Sequence, residues 1–256
     1  MRILLGGLHG RMGEEFTKMA ATGLYDVDVV AGVDVRLEGS CEFDDIPCVE
    51  NFEDADADVD MVVDFSHHSA TKDLLKFTTK NRLPLVLATT GQTGEEREEV
   101  VAASKIIPVF WSANLSLGVA LLESLLKQVV AAMPDAEVEI IEKHNAGKAD
   151  APSGTALLFA DTVKSVKKDA KTVIGRNGYI RRARGEIGIH SVRIGNIAGE
   201  HEILIGSENQ IITLKHTAYS RALFAEGAMS AARFLFGKPA GLYGMKDLIN
   251  EGGDRF

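Results

Sequence analysis

Between Glu139 and Ala156 the chain reads EIIEKHNAGKADAPSGTA, which sets a histidine and a lysine four residues apart between an apolar run and a helix-start signal. A histidine side chain has an unperturbed pKa near ~6.5, so a residue of this type at 144 can give or take a proton at neutral pH. Lys148 supplies an ammonium that can pair with a carboxylate or act as an acid. Asp150, Pro152 and Ser153 then read as a turn and a cap, placing the N–H groups of Gly154 and Thr155 at the positive end of a helix, where an anion binds. On spacing alone the segment is either a site that holds an anion and moves a proton, or an ordinary polar crossing from strand to helix.

A second cluster closes the N-terminal apolar run. GGLHGRMG puts Gly7, Gly10 and Gly13 three apart at a strand-to-helix turn, so the loop Gly7, Leu8, His9, Gly10, Arg11 and Met12 is a candidate cradle for a pyrophosphate. The spacing departs from the usual G-x-G-x-x-G, and by itself a tight turn without a ligand stays open. Asp34 ends the next strand about twenty residues on, where a carboxylate can accept an adenosine ribose hydroxyl. An acid there repels a 2′-phosphate and favours NADH, whereas Arg36 and Arg11 offset that repulsion, so NADH and NADPH both stand. Ala88, Thr89 and Thr90 of ATTG, and Ser112, Ala113, Asn114 and Leu115 of SANLS, follow further strand-like runs and outline the same crevice.

These residues need a scaffold, and the apolar periods supply one. RILLGG, a helical stretch 11–21 and VDVVAGVD form a strand-helix-strand unit. The alternation continues through MVVDF, a helix 69–80, LPLVLAT, a helix 94–104 and IIPVF. That pattern predicts an α/β domain with a doubly wound parallel sheet. After Trp111 come a long helix 117–133, the run AEVEIIEKH, a helix from about Ser153, and the alternating runs GIHSVRIG, HEILIG and QIITLKH. They imply an α+β domain whose mostly antiparallel, mixed sheet has one face open. Residues 220–236 read as a helix returning to the first domain. The expected division is a dinucleotide-binding domain of 1–115 with 219–256, and a second domain of 116–218.

Composition narrows the classes. A formal net charge of -9 over 256 residues argues against nucleic-acid binding and requires any anionic substrate to find a locally basic pocket. No apolar run reaches the ~20 residues of a membrane span and the N-terminus lacks a signal-peptide pattern, so a cytoplasmic protein is expected. Cys41 and Cys48 lack zinc-site spacing and read as structural bystanders in a polar loop, while His190, His201 and His216 have no ligand partners at repeat spacing and read as strand or interface residues, so no metal is expected. The basic run 176–184, RNGYIRRAR, reads as a solvated flexible loop rather than a lid over a substrate.

The opening segment resembles the dihydrodipicolinate reductase signature E-x-H-H-x-x-K-x-D-x-P-S-G-T-A, matching at Glu142, His144, Lys148, Asp150, Pro152, Ser153, Gly154, Thr155 and Ala156. GLHGRMG, DFS, TTG, N-x-S-x-G (Asn114, Ser116, Gly118), SVR-x-G-x-x-x-GEH (191–201) and SR-x-x-F-x-x-GA (220–228) are similar to further motifs of that family, in order along nearly the whole chain. The resemblance implies a Rossmann-like domain and a substrate domain whose open sheet assembles a homotetramer. It also implies NADH- or NADPH-dependent reduction of a cyclic imine dicarboxylate, 4-hydroxy-tetrahydrodipicolinate, in the diaminopimelate route to lysine. His144 then falls at the proton donor and acceptor, Lys148 at the second catalytic and substrate-contacting position, and Ser153, Gly154 and Thr155 at the carboxylate-binding turn. Asn145 stands where the family has a second, substrate-contacting histidine, and Ala88 where it has the first Gly of G-T-T-G. A two-domain amino-acid dehydrogenase would share the glycine loop but not K-x-D-x-P-S-G-T, and a non-catalytic cofactor-binding regulator is encouraged only by Asn145.

Overall fold

The computed structural model describes residues 1–35, 45–56 and 58–251, so Arg36 and Cys41 lie outside the described residues. Two compact units are present, Met1–Leu117 with Arg221–Phe256, and Gly118–Ser220. The chain runs β1 (Arg2–Gly6), α1 (Arg11–Ala20), β2 (Asp28–Val33), β3 (Cys48–Val49), β4 (Met61–Asp64), α2 (Thr71–Asn81), β5 (Leu85–Leu87), α3 (Gly94–Ala103) and β6 (Pro108–Trp111). It continues through α4 (Leu117–Ala132), β7 (Glu137–His144), α5 (Gly154–Val166), β8 (Lys171–Ile174), β9 (Glu186–Arg193), β10 (Gly199–Ser207) and β11 (Gln210–Ala218). It returns with α6 (Ala222–Leu235), β12 (Gly241–Tyr243) and α7 (Met245–Glu251).

The first unit is a seven-stranded sheet in the order β12-β6-β5-β4-β1-β2-β3, with every pairing parallel. Its strands are apolar on both faces: Leu4, Leu5, Val62, Val63, Leu85, Val86, Val109 and Phe110 are fully buried, each such side chain stabilising the fold by about 1.5–3 kcal/mol. Local signals set the helices. Thr93 and Glu96 close a capping box at the start of α3, and α1 buries Phe16, Thr17 and Ala20 on one side. Because all the strands run the same way, the loops after β1, β2, β4, β5 and β6 emerge at one end of the sheet. The strand order reverses between β1 and β4, the place where doubly wound sheets bind ligands.

The second unit is a five-stranded sheet in the order β11-β10-β7-β9-β8. The alternating runs predicted mostly antiparallel pairing, but two of its four pairings, β7 with β9 and β8 with β9, are parallel. The connection from β7 through α5 is long enough to bring β8 into the sheet in the same direction as β7, and the 175–185 connection then returns the chain so that β9 enters between them, parallel to both. Val138, Ile140, Ile187, Ile189, Ile203 and Ile205 pack one face of the sheet against α4 and α5.

The opposite face carries charge ladders, Lys143 to Glu200 to Lys215, and Glu139 to Arg182 and His190. Here the expectation for the basic run needs correcting. Arg182 is bound to Glu139 and to the Glu186 carbonyl, and Arg176 to Glu186, so these two arginines lie against the sheet while Tyr179 and Ile180 between them are exposed.

Candidate active site

In the first unit, the loop after β1 is shaped by glycines. Gly7 has a φ of +76°, a left-handed conformation that side chains resist. A Cβ on Gly13 would lie 2.2 Å from the Gly7 carbonyl oxygen, so α1 reaches the loop only because that position is bare. Gly13→Ala is expected to cost about 1–3 kcal/mol by overpacking, read as a lower denaturant midpoint with an unchanged slope. Leu8 is fully buried, its side chain lying under Gly32, so this candidate residue anchors the loop and offers a ligand only its backbone. Asp34 accepts the His9 N–H at 2.9 Å, and so holds the loop with one carboxylate oxygen. Gly7, Gly10, Asp34, Phe65, Ser66 and Ala70 line a cavity of about 830 Å³, within the range of small-molecule sites.

The loops after β4 and β5 are tied together by the acid of the DFS motif. Asp64, which closes β4, is buried and accepts the Thr89 hydroxyl at 2.6 Å and the Ser66 N–H at 3.2 Å. Burial pushes its carboxyl above the usual range. Thr89 thus spends its hydroxyl on Asp64, while Thr90 and Ala113 are exposed and Leu115 is buried. Ser112 donates to the Asn114 carbonyl at 2.7 Å, and Asn114 Oδ1 accepts the Ser116 N–H at 2.9 Å, so SANLS is held as a turn by its own side chains.

In the second unit, the strand period of two delivers Glu142 and His144 to one face at the end of β7. Glu142 is fully buried. Its carboxylate accepts Arg193 Nη1 at 2.8 Å and Nη2 at 2.7 Å, His144 Nδ1 at 2.5 Å and the Ser153 N–H at 3.2 Å. Since the carboxylate only accepts, the proton of neutral His144 sits on Nδ1 and Nε2 is the nitrogen left to exchange one. Gly199 on β10 makes room for that edge of the ring, because a Cβ there would stand 3.2 Å from Nε2.

After β7 the chain turns at Asn145, whose carbonyl accepts the Lys148 N–H at 3.2 Å and whose Oδ1 accepts the Gly147 N–H at 3.1 Å. Lys148 Nζ lies 2.7 Å from Asp150 Oδ1. Ser153 caps α5 by accepting the Ala156 N–H, and its Oγ lies 3.0 Å from His201 Nε2. The cluster therefore brings together His144, Asn145, Lys148, Ser153 and the first turn of α5 with Gly154 and Thr155. It adds Glu142, Arg193 and His201. His201 is a strand residue on β10, as expected, and its ring also sits edge-on to His144 at 5.2 Å between centroids and to Phe159 at 5.9 Å.

Burial alone would push the Glu142 carboxyl up, but hydrogen bonds from Arg193, Ser191 and His144 outweigh it and hold the group at about 2. Burial, with His144 beside it, pushes His201 down to about 4. Both shifts make the fold acid-labile. As pH falls from 6.5 toward 4, the unfolded chain takes up a proton at His201 that the folded chain refuses. From 4.5 toward 2 the unfolded chain likewise protonates Glu142 first. Unfolding midpoints followed from neutral pH down to about 4 should therefore fall steadily, and His201→Gln should flatten the upper part of that fall. Among the described residues no group of three or more His, Cys, Asp or Glu side chains could hold a metal ion, and no helix is long and apolar enough to cross a membrane.

Comparison with known proteins places this geometry. Residues 1–115 match the family model described as dihydrodipicolinate reductase, N-terminus, and residues 118–249 the one described as dihydrodipicolinate reductase, C-terminus. The chain is 42% identical over 252 residues to the 4-hydroxy-tetrahydrodipicolinate reductase of Clostridium tetani (strain Massachusetts / E88), covering 98% of this chain and 97% of that one. It is 41% identical over 254 residues to the protein of the same name from Caldanaerobacter subterraneus subsp. tengcongensis, covering 98% and 99%. Among solved structures, a dipicolinate-bound dihydrodipicolinate reductase from Paenisporosarcina sp. TG-14 shares the fold with a TM-score of 0.82 at 24% identity, over 96% of this chain and 98% of that one. Matched by both halves of the family model and by relatives of nearly equal length, this chain belongs to the dihydrodipicolinate reductase family.

Proposed function

We propose that this protein is a 4-hydroxy-tetrahydrodipicolinate reductase that uses NADH or NADPH to form tetrahydrodipicolinate on the diaminopimelate route to lysine. The observation that carries the reading is the cluster at the end of β7: a histidine with Nδ1 committed to a carboxylate, a lysine four residues on, and a capped helix N-terminus. A cyclic imine dicarboxylate matches it group for group. The first turn of α5, at Gly154 and Thr155, and the Lys148 ammonium attract its carboxylates. The 4-hydroxyl leaves as water to give the conjugated imine; hydride added at C4 then leaves an enamine that takes one proton at C5 to give tetrahydrodipicolinate, and protonated His144 supplies it from Nε2. Lys148 neutralises the charge that builds during the step, and the Asn145 amide nitrogen remains a donor to substrate in place of the usual histidine.

The first unit is the dinucleotide-binding domain in this reading. The bare, left-handed Gly7, the close approach at Gly13 and the adjoining cavity fit a dinucleotide: Gly7 to Met12 would face its pyrophosphate and Asp34 its ribose, with the loops at 88–90 and 112–115 beyond. When bound, the reduced nicotinamide supplies the hydride. The second unit binds substrate and assembles the protein. Its ladder-bearing sheet face, where Val192 is exposed and Ile141 and Leu204 half-buried, suits burial between copies in a homotetramer. Localisation in the cytoplasm goes with that assignment.

Titration with dipicolinate, a planar dicarboxylate, tests the site. Binding is expected in the wild-type protein, weakened about tenfold or more when Lys148 is replaced by alanine. Equal affinity in both proteins would overturn the placement.

A further inference from the structure

We infer that Glu142, clamped by Arg193, is a positioning residue that holds His144 in the Nδ1–H tautomer and sets the spacing between its Nε2 and the N-terminus of α5. The inference rests on the reading above, in which His144 moves the proton and α5 holds a carboxylate. Each oxygen of Glu142 has at least two partners, and Ser191 also bonds this carboxylate. Oε2 takes His144 Nδ1 and Arg193 Nη1, and Oε1 takes the Ser153 N–H and Arg193 Nη2. One buried carboxylate therefore joins the end of β7, the end of β9 and the cap of α5. Arg193 extends the frame by donating from Nη2 to the Asp150 carbonyl, in the same segment as Lys148.

A buried ion pair is often only structural, but this one has chemical consequences. An ionised carboxylate facing Nδ1 dictates the tautomer, and it stabilises the imidazolium that His144 becomes when loaded with a proton. Arg193 draws on the same carboxylate through a planar fork, which limits that stabilisation so that the proton can leave again. The other charged and titratable groups around the ring are Lys148 and Asp150 from the following loop and His201 from β10, with His216 of β11 in register beside His201. Lys148 and Arg193 oppose protonation of His144, whereas Glu142 and Asp150 favour it. Removing Glu142 therefore shifts the balance toward the cations.

The test uses Glu142→Gln and Arg193→Lys in the full chain. Long-range ¹H–¹⁵N spectra of the His144 ring should show the Nδ1–H tautomer in the wild type. In Glu142→Gln they should show a mixed or Nε2–H tautomer, with the ring titrating about one unit or more lower in pH. kcat should fall about 100-fold, its pH profile displaced in the same direction, while the substrate KM changes less than about threefold. Arg193→Lys keeps the charge without the fork and should fall between the two, and it carries the same readouts if Glu142→Gln does not fold. A folded Glu142→Gln with wild-type tautomer and pH profile, or Arg193→Lys indistinguishable from wild type, overturns the inference. The tautomer is read without turnover. A wild-type protein that shows the Nδ1–H tautomer and its loss in Glu142→Gln, yet reduces no imine, would sink the assigned reaction and leave the positioning role standing.

Discussion

Lys148→Ala should lower kcat/KM by about 1,000-fold, the largest loss expected of any single substitution in the cluster. The side chain has two duties in the proposed reaction. It offers the dicarboxylate a cation in a chain whose formal net charge is -9, and it meets the charge that develops as hydride enters the ring. Its ammonium lies 2.7 Å from Asp150, whose carboxyl the lysine keeps below the usual carboxylate range. Alanine removes the cation and leaves Asp150 facing an incoming anion, so KM should rise as kcat falls. Steady-state kinetics over a range of substrate concentration separates the two effects. Near-normal values for both would mean that the site lies elsewhere.

His144→Gln should lower kcat by about 100-fold with a smaller change in KM, because the ring contributes a proton rather than most of the binding. Glutamine is close in size but cannot carry a proton at neutral pH. It also leaves Glu142 Oε2 without its 2.5 Å partner, although Arg193 and Ser153 still satisfy the carboxylate and the fold should survive. The expected signature is a flattened pH profile for kcat together with dipicolinate affinity close to wild type. A tenfold or greater loss of dipicolinate affinity with kcat retained would reverse the roles given to His144 and Lys148.

Much of the scaffold is legible in the residues themselves. Continuous apolar runs such as RILLGG and MVVDF announce buried parallel strands, and the helices at 11–21, 94–104 and 117–133 end within one residue of α1, α3 and α4. The elements that escape are short or weakly patterned. β3 has two residues, β8 is bounded by charge, and β12 (GLY) has a single large aliphatic side chain, so pairing with neighbouring strands rather than local pattern defines them. The parallel entry of β9 is invisible for the same reason, being set by the 175–185 connection from β8 and by its place between β7 and β8.

The site divides in the same way. His144, Lys148 and the α5 cap lie within one segment, which spacing alone leaves open between a site and a polar crossing and which the family resemblance singles out. Arg193 meets Glu142 from 51 residues away and His201 meets Ser153 from 48, so only folding brings them together. Asp34 and Leu8 show a third situation: the glycine loop singles out Leu8 and the end of the second strand singles out Asp34 as candidate cofactor contacts, and in the fold Leu8 is buried under Gly32 while Asp34 accepts the His9 N–H, so both hold the loop in place.

The most direct measurement supplies purified protein with the freshly generated product of dihydrodipicolinate synthase and follows oxidation of NADH and NADPH side by side. The account predicts oxidation of at least one of them that requires both the enzyme and that product, with tetrahydrodipicolinate formed mole for mole. No oxidation of either cofactor, or oxidation indifferent to the imine, would contradict it.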